Sequence, residues 1–146
     1  MTDASLTLVN RYYDALNHRR WDDYDHLFSA DAALEASGAI TGTGPAAIRA
    51  FDQVWTTAAP DFTITPLMQV ATGGQVMSEN LAEGTHDGDL ALPTGPVPAT
   101  GSQFGGKYAG VFEIADGKIV AQRVYFDRMA VAEQLGLLPD PASTTA

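Results

Sequence analysis

Two short segments hold the side chains best suited to chemistry. The first, Glu83-Gly84-Thr85-His86-Asp87-Gly88, puts a histidine at the end of a long alternating run, between glycines. Backbone can approach a ligand there, and a loop can close over it; the bland alternative is a turn whose histidine bonds a nearby carbonyl. The second segment is Arg123-Val124-Tyr125-Phe126-Asp127. At the two-residue period of a strand, Arg123, Tyr125 and Asp127 share one face, and Val124 and Phe126 share the other. If the polar set faces a cavity, Asp127 lies among aromatic walls. Burial there moves a carboxyl group toward neutrality, which makes a better general base. The structural alternative is that Asp127 caps the helix beginning at Arg128-Met129-Ala130, since aspartate is a good N-cap. The residues alone leave both readings open.

Composition removes several classes of chemistry. The 146 residues are 45% hydrophobic and 18% charged, with no cysteine, so disulfides, thiolate nucleophiles and zinc-finger sites are absent. Eighteen acidic against eight basic residues give a formal charge of −10. Nucleic acid and anionic membrane surfaces both select the opposite sign. No run approaches the roughly 18 apolar residues of a membrane span, and Met1-Thr2-Asp3-Ala4-Ser5 carries an acid where a signal peptide carries a base. A cytoplasmic location is the expectation. No Gly-rich motif follows a strand and opens a helix, and Thr41-Gly42-Thr43-Gly44-Pro45 lacks both lysine and fingerprint spacing. There is no Gly-x-Ser-x-Gly elbow. His18, His26 and His86 match no recognised metal-ligand spacing, so a metal site is not expected.

The elements that must position these residues follow from periodicity. Leu6, Val9, Tyr13 and Leu16 predict a first helix capped by Asp3 or Ser5 and ended near Asn17, Arg19 and Arg20. Trp21, Tyr24, Leu27 and Phe28 predict a second, short helix, and residues 33–40 an extended segment. The 41–45 turn leads into a third helix with Pro45 at its start and Ile48, Phe51 and Trp55 on its apolar face, ending at Pro60. The period then changes to two. A strand runs from Phe62 through Val70 with an edge or bulge at Pro66, and Gly73-Gly74 turns into a strand from Gln75 to His86. Residues 87–106 read as a long loop. Strands at 107–115 and 118–127 meet at Asp116-Gly117. A closing helix covers Met129 to Leu135, stopped by Gly136, and the end of the chain from 140 to 146 is expected to be disordered. Helices followed by a meander of long strands predict one α+β domain over residues 1–139: a curved antiparallel sheet wrapped around N-terminal helices, enclosing a pocket.

In this order the pieces resemble the SnoaL-like polyketide cyclases of the nuclear transport factor two-like superfamily. The likeness spans nearly the whole chain: the opening helix around Val9-Asn10-Arg11-Tyr12-Tyr13-Asp14-Ala15-Leu16, Leu27-Phe28-Ser29-Ala30-Asp31-Ala32, and Gly44-Pro45-Ala46-Ala47-Ile48-Arg49. It continues through Ala59-Pro60-Asp61-Phe62, Gly84-Thr85-His86-Asp87-Gly88, Leu92-Pro93-Thr94-Gly95, Asp116-Gly117-Lys118-Ile119, Tyr125-Phe126-Asp127 and Gln134-Leu135-Gly136-Leu137-Leu138-Pro139. The resemblance implies a cone-shaped α+β barrel with a deep apolar pocket, often dimeric or tetrameric, needing no cofactor. It further implies that the aspartate matching Asp127 is the general acid/base of an intramolecular aldol closure, with the histidine matching His86 in the same pocket. This chain departs from the pattern by lacking a histidine at Leu34-Glu35-Ala36-Ser37. It also carries Glu79 and Asn80 in place of arginine and tryptophan, and Arg123 in place of tryptophan.

The leading expectation is therefore a polyketide cyclase-like enzyme acting on a hydrophobic, polycyclic small molecule. Asp127 and His86 are its catalytic candidates, with Asn80, Arg123, Tyr125, Tyr13, Phe51, Trp55 and Tyr108 against the substrate. By strand parity, His86, Asn80 or Arg123 would steady the oxyanion. An arginine beside Asp127 would favour the charged carboxylate and weaken the base unless a substrate oxyanion occupies it. Water activation by Arg123 and Asp127, in the manner of the superfamily's epoxide hydrolases, or hydroxylation keeps the pocket and changes the reaction. A non-catalytic binding module would use the same aromatics. The outer sheet face, with Val124 and Phe126 contributing, is the expected surface for a homodimer or homotetramer.

Overall fold

The computed structural model describes residues 3–37 and 40–138; the expected disordered end at 140–146 lies outside them. Helix α1 (Ala4–Asn17) starts where the Asp3 carboxylate accepts the Ser5 amide at 2.8 Å, which satisfies one of the donors a helix start leaves open. It buries Leu8, Val9, Tyr12, Tyr13, Ala15 and Leu16. At its end the Asn17 side chain donates to the Ile64 carbonyl and accepts the Ile64 amide, 2.8 and 2.9 Å. That amide replaces a neighbouring strand at the start of the edge strand β3.

Helix α2 (Trp21–Asp25) is shorter than its apolar spacing suggests. Phe28 belongs instead to strand β1 (Phe28–Ala36), which pairs with β2 (Ile40–Thr43). The predicted extended segment thus begins five residues early, and most of the predicted 41–45 turn is strand. Gly44, at φ 90°, leads into α3 (Pro45–Ala58) with proline in its first turn.

Strands β3 (Thr63–Thr72) and β4 (Gln75–Thr85) form a hairpin through Gly73 and Gly74, both at positive φ. The register slips between Pro66 and Met68, on an edge strand where proline costs no ladder bond. Strands β7 (Gln103–Ala115) and β8 (Lys118–Tyr125) turn through Asp116-Gly117 as predicted. The predicted 87–106 loop is largely structured. It contains a small hairpin, β5 (Leu90–Leu92) and β6 (Gly95–Val97), and β7 reaches back to Gln103 through Gly105 and Gly106. A β-carbon on Gly105, at φ 134°, would sit 2.0 Å from the Ala82 carbonyl oxygen, so only glycine lets the strands pair there.

The main sheet has the order β2-β1-β8-β7-β4-β3. It is curved and mixed rather than antiparallel, because β1 and β8 run parallel at its middle. Its edges β2 and β3 do not meet, so it is no closed barrel. Helices α1 and α3 cover the inner face, where Tyr12 packs edge-on to Phe112 with centroids 5.4 Å apart. The outer face leaves Met68, Val70, Met77 and Tyr125 exposed. Helix α4 (Arg128–Gln134) closes one end. Among the described residues no helix is long and apolar enough to cross a membrane.

Candidate active site

A cavity of about 340 Å³ lies between α3, α4 and the inner faces of β3, β4, β7 and β8. That is within the ~300–1,000 Å³ range of small-molecule sites. Its walls are aromatic: Phe51 and Trp55 from α3, Phe104 and Tyr108 from β7, and Phe126 after β8. Trp55 stands edge-on to Phe126 at 5.5 Å, and Phe51 lies 6.5 Å from the same ring, so α3 and the end of β8 form one slot.

Asp127 lines the exposed rim. The capping reading holds, since its Oδ1 accepts the Ala130 amide at 3.0 Å at the start of α4, but the residue is exposed at the cavity's edge rather than buried among aromatic walls. The remaining rim is polar and glycine-rich. Gln134 grips the β7 backbone at both ends of its amide, accepting from the Gly105 N–H and donating to the Gly105 carbonyl, each at 2.9 Å. Lys107 is the cation on this wall.

The buried end holds a second carboxylate, Asp52, only 5% exposed. Tyr12 and Tyr24 both donate to its Oδ2, at 2.7 and 2.5 Å. The Tyr12 hydroxyl in turn accepts from Gln122 Nε2 at 3.0 Å. Burial pushes the Asp52 carboxyl up to about 6, against the two tyrosine hydrogen bonds that hold it down. Burial likewise raises the hydroxyls of Tyr12, Tyr24 and Tyr108, which therefore stay protonated donors.

Of the residues the sequence nominated, the structure brings Phe51, Trp55, Tyr108 and Asp127 to the cavity. It places the others elsewhere. His86 is fully buried but off the cavity wall: Nδ1 meets Thr100 Oγ1 at 2.9 Å and the Thr100 amide at 3.3 Å. Its backbone bonds Ser102 and Gly101, so it fastens the returning 86–102 segment. Asn80 and Tyr13 form a core hydrogen-bond chain instead of a substrate contact. Asn80 Nδ2 donates to the Tyr13 hydroxyl at 2.9 Å, and Ser78 Oγ donates to Asn80 Oδ1 at 2.7 Å. Strand β8 is turned over relative to the expectation: Gln122, Val124 and Phe126 face the cavity, while Arg123 and Tyr125 face outward. Arg123 pairs with Glu113 of β7 at 2.9 Å, on the face away from the cavity. Asp127 reaches the cavity because the strand ends before it.

Tyr12, Asp52 and Gln122 were missed. A carboxylate in a helix reads as its solvated face, yet Asp52 follows Ile48 by four residues and adjoins Phe51, inside the apolar stripe. That displacement was the available signal. Among the described residues no group of three histidine, aspartate or glutamate side chains could hold a metal ion.

Comparison with solved structures finds the same fold repeatedly. A candidate polyketide cyclase from Xanthomonas campestris is 23% identical, with TM-score 0.78 over 90% of this chain and 96% of its own. A candidate SnoaL-like polyketide cyclase from Jannaschia is 19% identical, with TM-score 0.81 over 93% and 94%. A candidate hydroxylase from Streptomyces galilaeus is 19% identical, with TM-score 0.79 over 93% and 83%. No curated protein matches by sequence. The model of the SnoaL-like polyketide cyclases, in contrast, matches residues 6–135, from the first turn of α1 to the end of α4. Helices, sheet and cavity all lie within that span, and the chain belongs to the SnoaL-like polyketide cyclase family.

Proposed function

We propose that the protein is an acid/base enzyme that closes a ring on a polyketide-like substrate by an intramolecular aldol reaction, with Asp127 as the base. The observation that carries this reading is the Asp127 carboxylate, fixed by the Ala130 amide on the wall of an aromatic cavity. A carbon flanked by two carbonyls is acidic enough for one positioned carboxylate. Asp127 takes its proton, and the enolate attacks a carbonyl of the same molecule. The resulting alkoxide is then protonated, so the product is an isomer of the substrate. The slot between Phe51, Trp55 and Phe126 suits flat, partly cyclised rings. Holding such a chain folded supplies part of the ~7–11 kcal/mol available from proximity, and the positioned base contributes about 10²–10⁴-fold. The neighbours named as polyketide cyclases support the substrate class. Water activation by an arginine–aspartate pair has little support, since Arg123 is tied to Glu113 outside the cavity.

The test is hydrogen exchange in deuterated water on a β-ketoester-bearing anthraquinone, comparing the native protein with Asp127→Asn. Asparagine also caps helices well, so α4 should stay in place. Exchange above buffer that falls at least about 100-fold in the variant supports the assignment. Equal exchange in both proteins, or none in either, overturns it.

A further inference from the structure

We propose that Asp52 is a second acid group of the cavity, one that presents a proton from Oδ1 to a carbonyl oxygen of the substrate at the buried end. The argument begins with which oxygen is occupied. Tyr12 and Tyr24 both donate to Oδ2, and neither hydroxyl has another hydrogen to give. A proton on the carboxyl group therefore resides on Oδ1. Among the described residues Oδ1 makes no hydrogen bond, and Asp52 is part of the cavity lining. The orientation is held from behind as well. Gln122 Nε2 donates to the Tyr12 oxygen, which turns the Tyr12 hydrogen toward Asp52.

Chemically this is a directed hydrogen-bond donor at the buried end of an aromatic-walled cavity, where one donor aimed at a developing oxyanion is worth most. Resting on the aldol reading, the step is a transfer of the Oδ1 proton to the alkoxide formed when the new carbon–carbon bond closes. Asp52 is left as a carboxylate that keeps both tyrosine hydrogen bonds. Water returns a proton to Asp52, and Asp127 releases to water the one it took from carbon, so the cycle balances without an added reagent.

Other titratable and polar groups face Asp52 from the elements packed around it. From α1 they are Tyr12 and Tyr13, from α2 Tyr24, and from β7 Tyr108, all with hydroxyls raised above their usual range. Asp25 of α2 is tied to Arg49 at 2.8 Å. β8 presents the neutral Gln122, and the rim carries Lys107 and Asp127.

The experiment measures binding, so it does not depend on turnover. The probes are 1-tetralone, a neutral bicyclic ketone, and tetralin, which lacks the oxygen; neither ionises. For the native protein, tetralone affinity should fall about tenfold between pH 5 and 7.5, the worth of one lost hydrogen bond, while tetralin affinity stays flat. Asp52→Asn, in which the amide oxygen still accepts from both tyrosines, should bind tetralone without that pH dependence. Tyr24→Phe, which keeps Asp52 but removes one hydrogen bond to its charged form, should move the transition to higher pH. Flat tetralone binding by the native protein, or an unchanged transition in folded Asp52→Asn, overturns the proposal. Failure of the exchange experiment with this pH dependence intact would remove the aldol reading and leave Asp52 as the carbonyl-binding acid.

Discussion

Replacing Asp52 by asparagine should alter stability in a way that only a buried carboxyl group produces. Burial lifts this group from 3.8 to about 6 in the folded protein, while the unfolded chain returns it to its ordinary value. Below about pH 3 both states are protonated and nothing is gained or lost. Between about pH 4 and 6 the unfolded state gives up its proton and the folded state does not, so native stability falls as pH rises; above about 6 both are ionised and the loss is complete. At about 1.4 kcal/mol for each tenfold change in binding, a displacement of roughly two pH units amounts to about 3 kcal/mol. Asparagine cannot ionise. Relative to the native protein it should therefore gain about 2.4 kcal/mol between pH 4 and pH 7, whatever fixed cost the substitution carries. Urea unfolding of both proteins at half-unit steps from pH 4 to 8 measures this difference, and titrations elsewhere cancel from it. A difference that stays level with pH, or that moves in the native protein's favour as pH rises, would refute the account of a desolvated acid held by two tyrosines.

Three further outcomes follow from the same geometry. His86→Leu should cost about 1–3 kcal/mol in urea unfolding, because it removes the Thr100 contacts of a fully buried ring, while deuterium exchange per folded molecule stays at the native rate; a loss of rate at full stability would return His86 to the catalytic set. Gly105→Ala should cost at least about 3 kcal/mol or prevent folding, since its β-carbon collides with the Ala82 carbonyl at a φ unfavourable for other residues; a melting temperature within a degree or two of native would show that β7 can shift there freely. Gln134→Ala should leave global stability within about 1–2 kcal/mol but abolish slow exchange of the Gly105 amide, whose partner is the Gln134 side chain, as read by amide exchange in the folded protein.

Local signals in the sequence located most elements. Asp3 and the apolar spacing after it place α1 closely, and Gly73-Gly74 and Asp116-Gly117 mark both long hairpins. Elsewhere the deciding contacts are distant in the chain. The parallel pairing of β1 with β8 joins residues about ninety positions apart, such as Ala36 and Val124, so no local pattern announces it. Gly105 and Gly106 read as loop because glycine weakens a strand signal, although here both lie in β7 and Gly105 allows close strand approach. For the site, a period of two fixes which side chains of β8 travel together but not which set faces inward. Arg123 and Tyr125 went outward because Glu113 is there to pair and because Val124 and Phe126 complete the aromatic slot. Asp127 was legible because it belongs to the end of that strand and the start of α4 at once. Asp52 was not, because its value comes from tyrosines on two other helices.

The parallel seam between β1 and β8 also sets an order of assembly. Strands β3, β4 and β7 can pair with one another from neighbouring or nearby sequence, but β1 and β2 join the sheet only through β8. A nascent chain that has not yet produced residues 118–125 therefore holds its first two strands as a detached hairpin, and the cavity lacks one wall. Long-range pairing of this kind slows folding to the millisecond-to-second range typical of non-local topologies. Premature termination between β7 and β8 would consequently release not a shortened domain but two disconnected pieces of sheet, β1–β2 and β3–β4–β7.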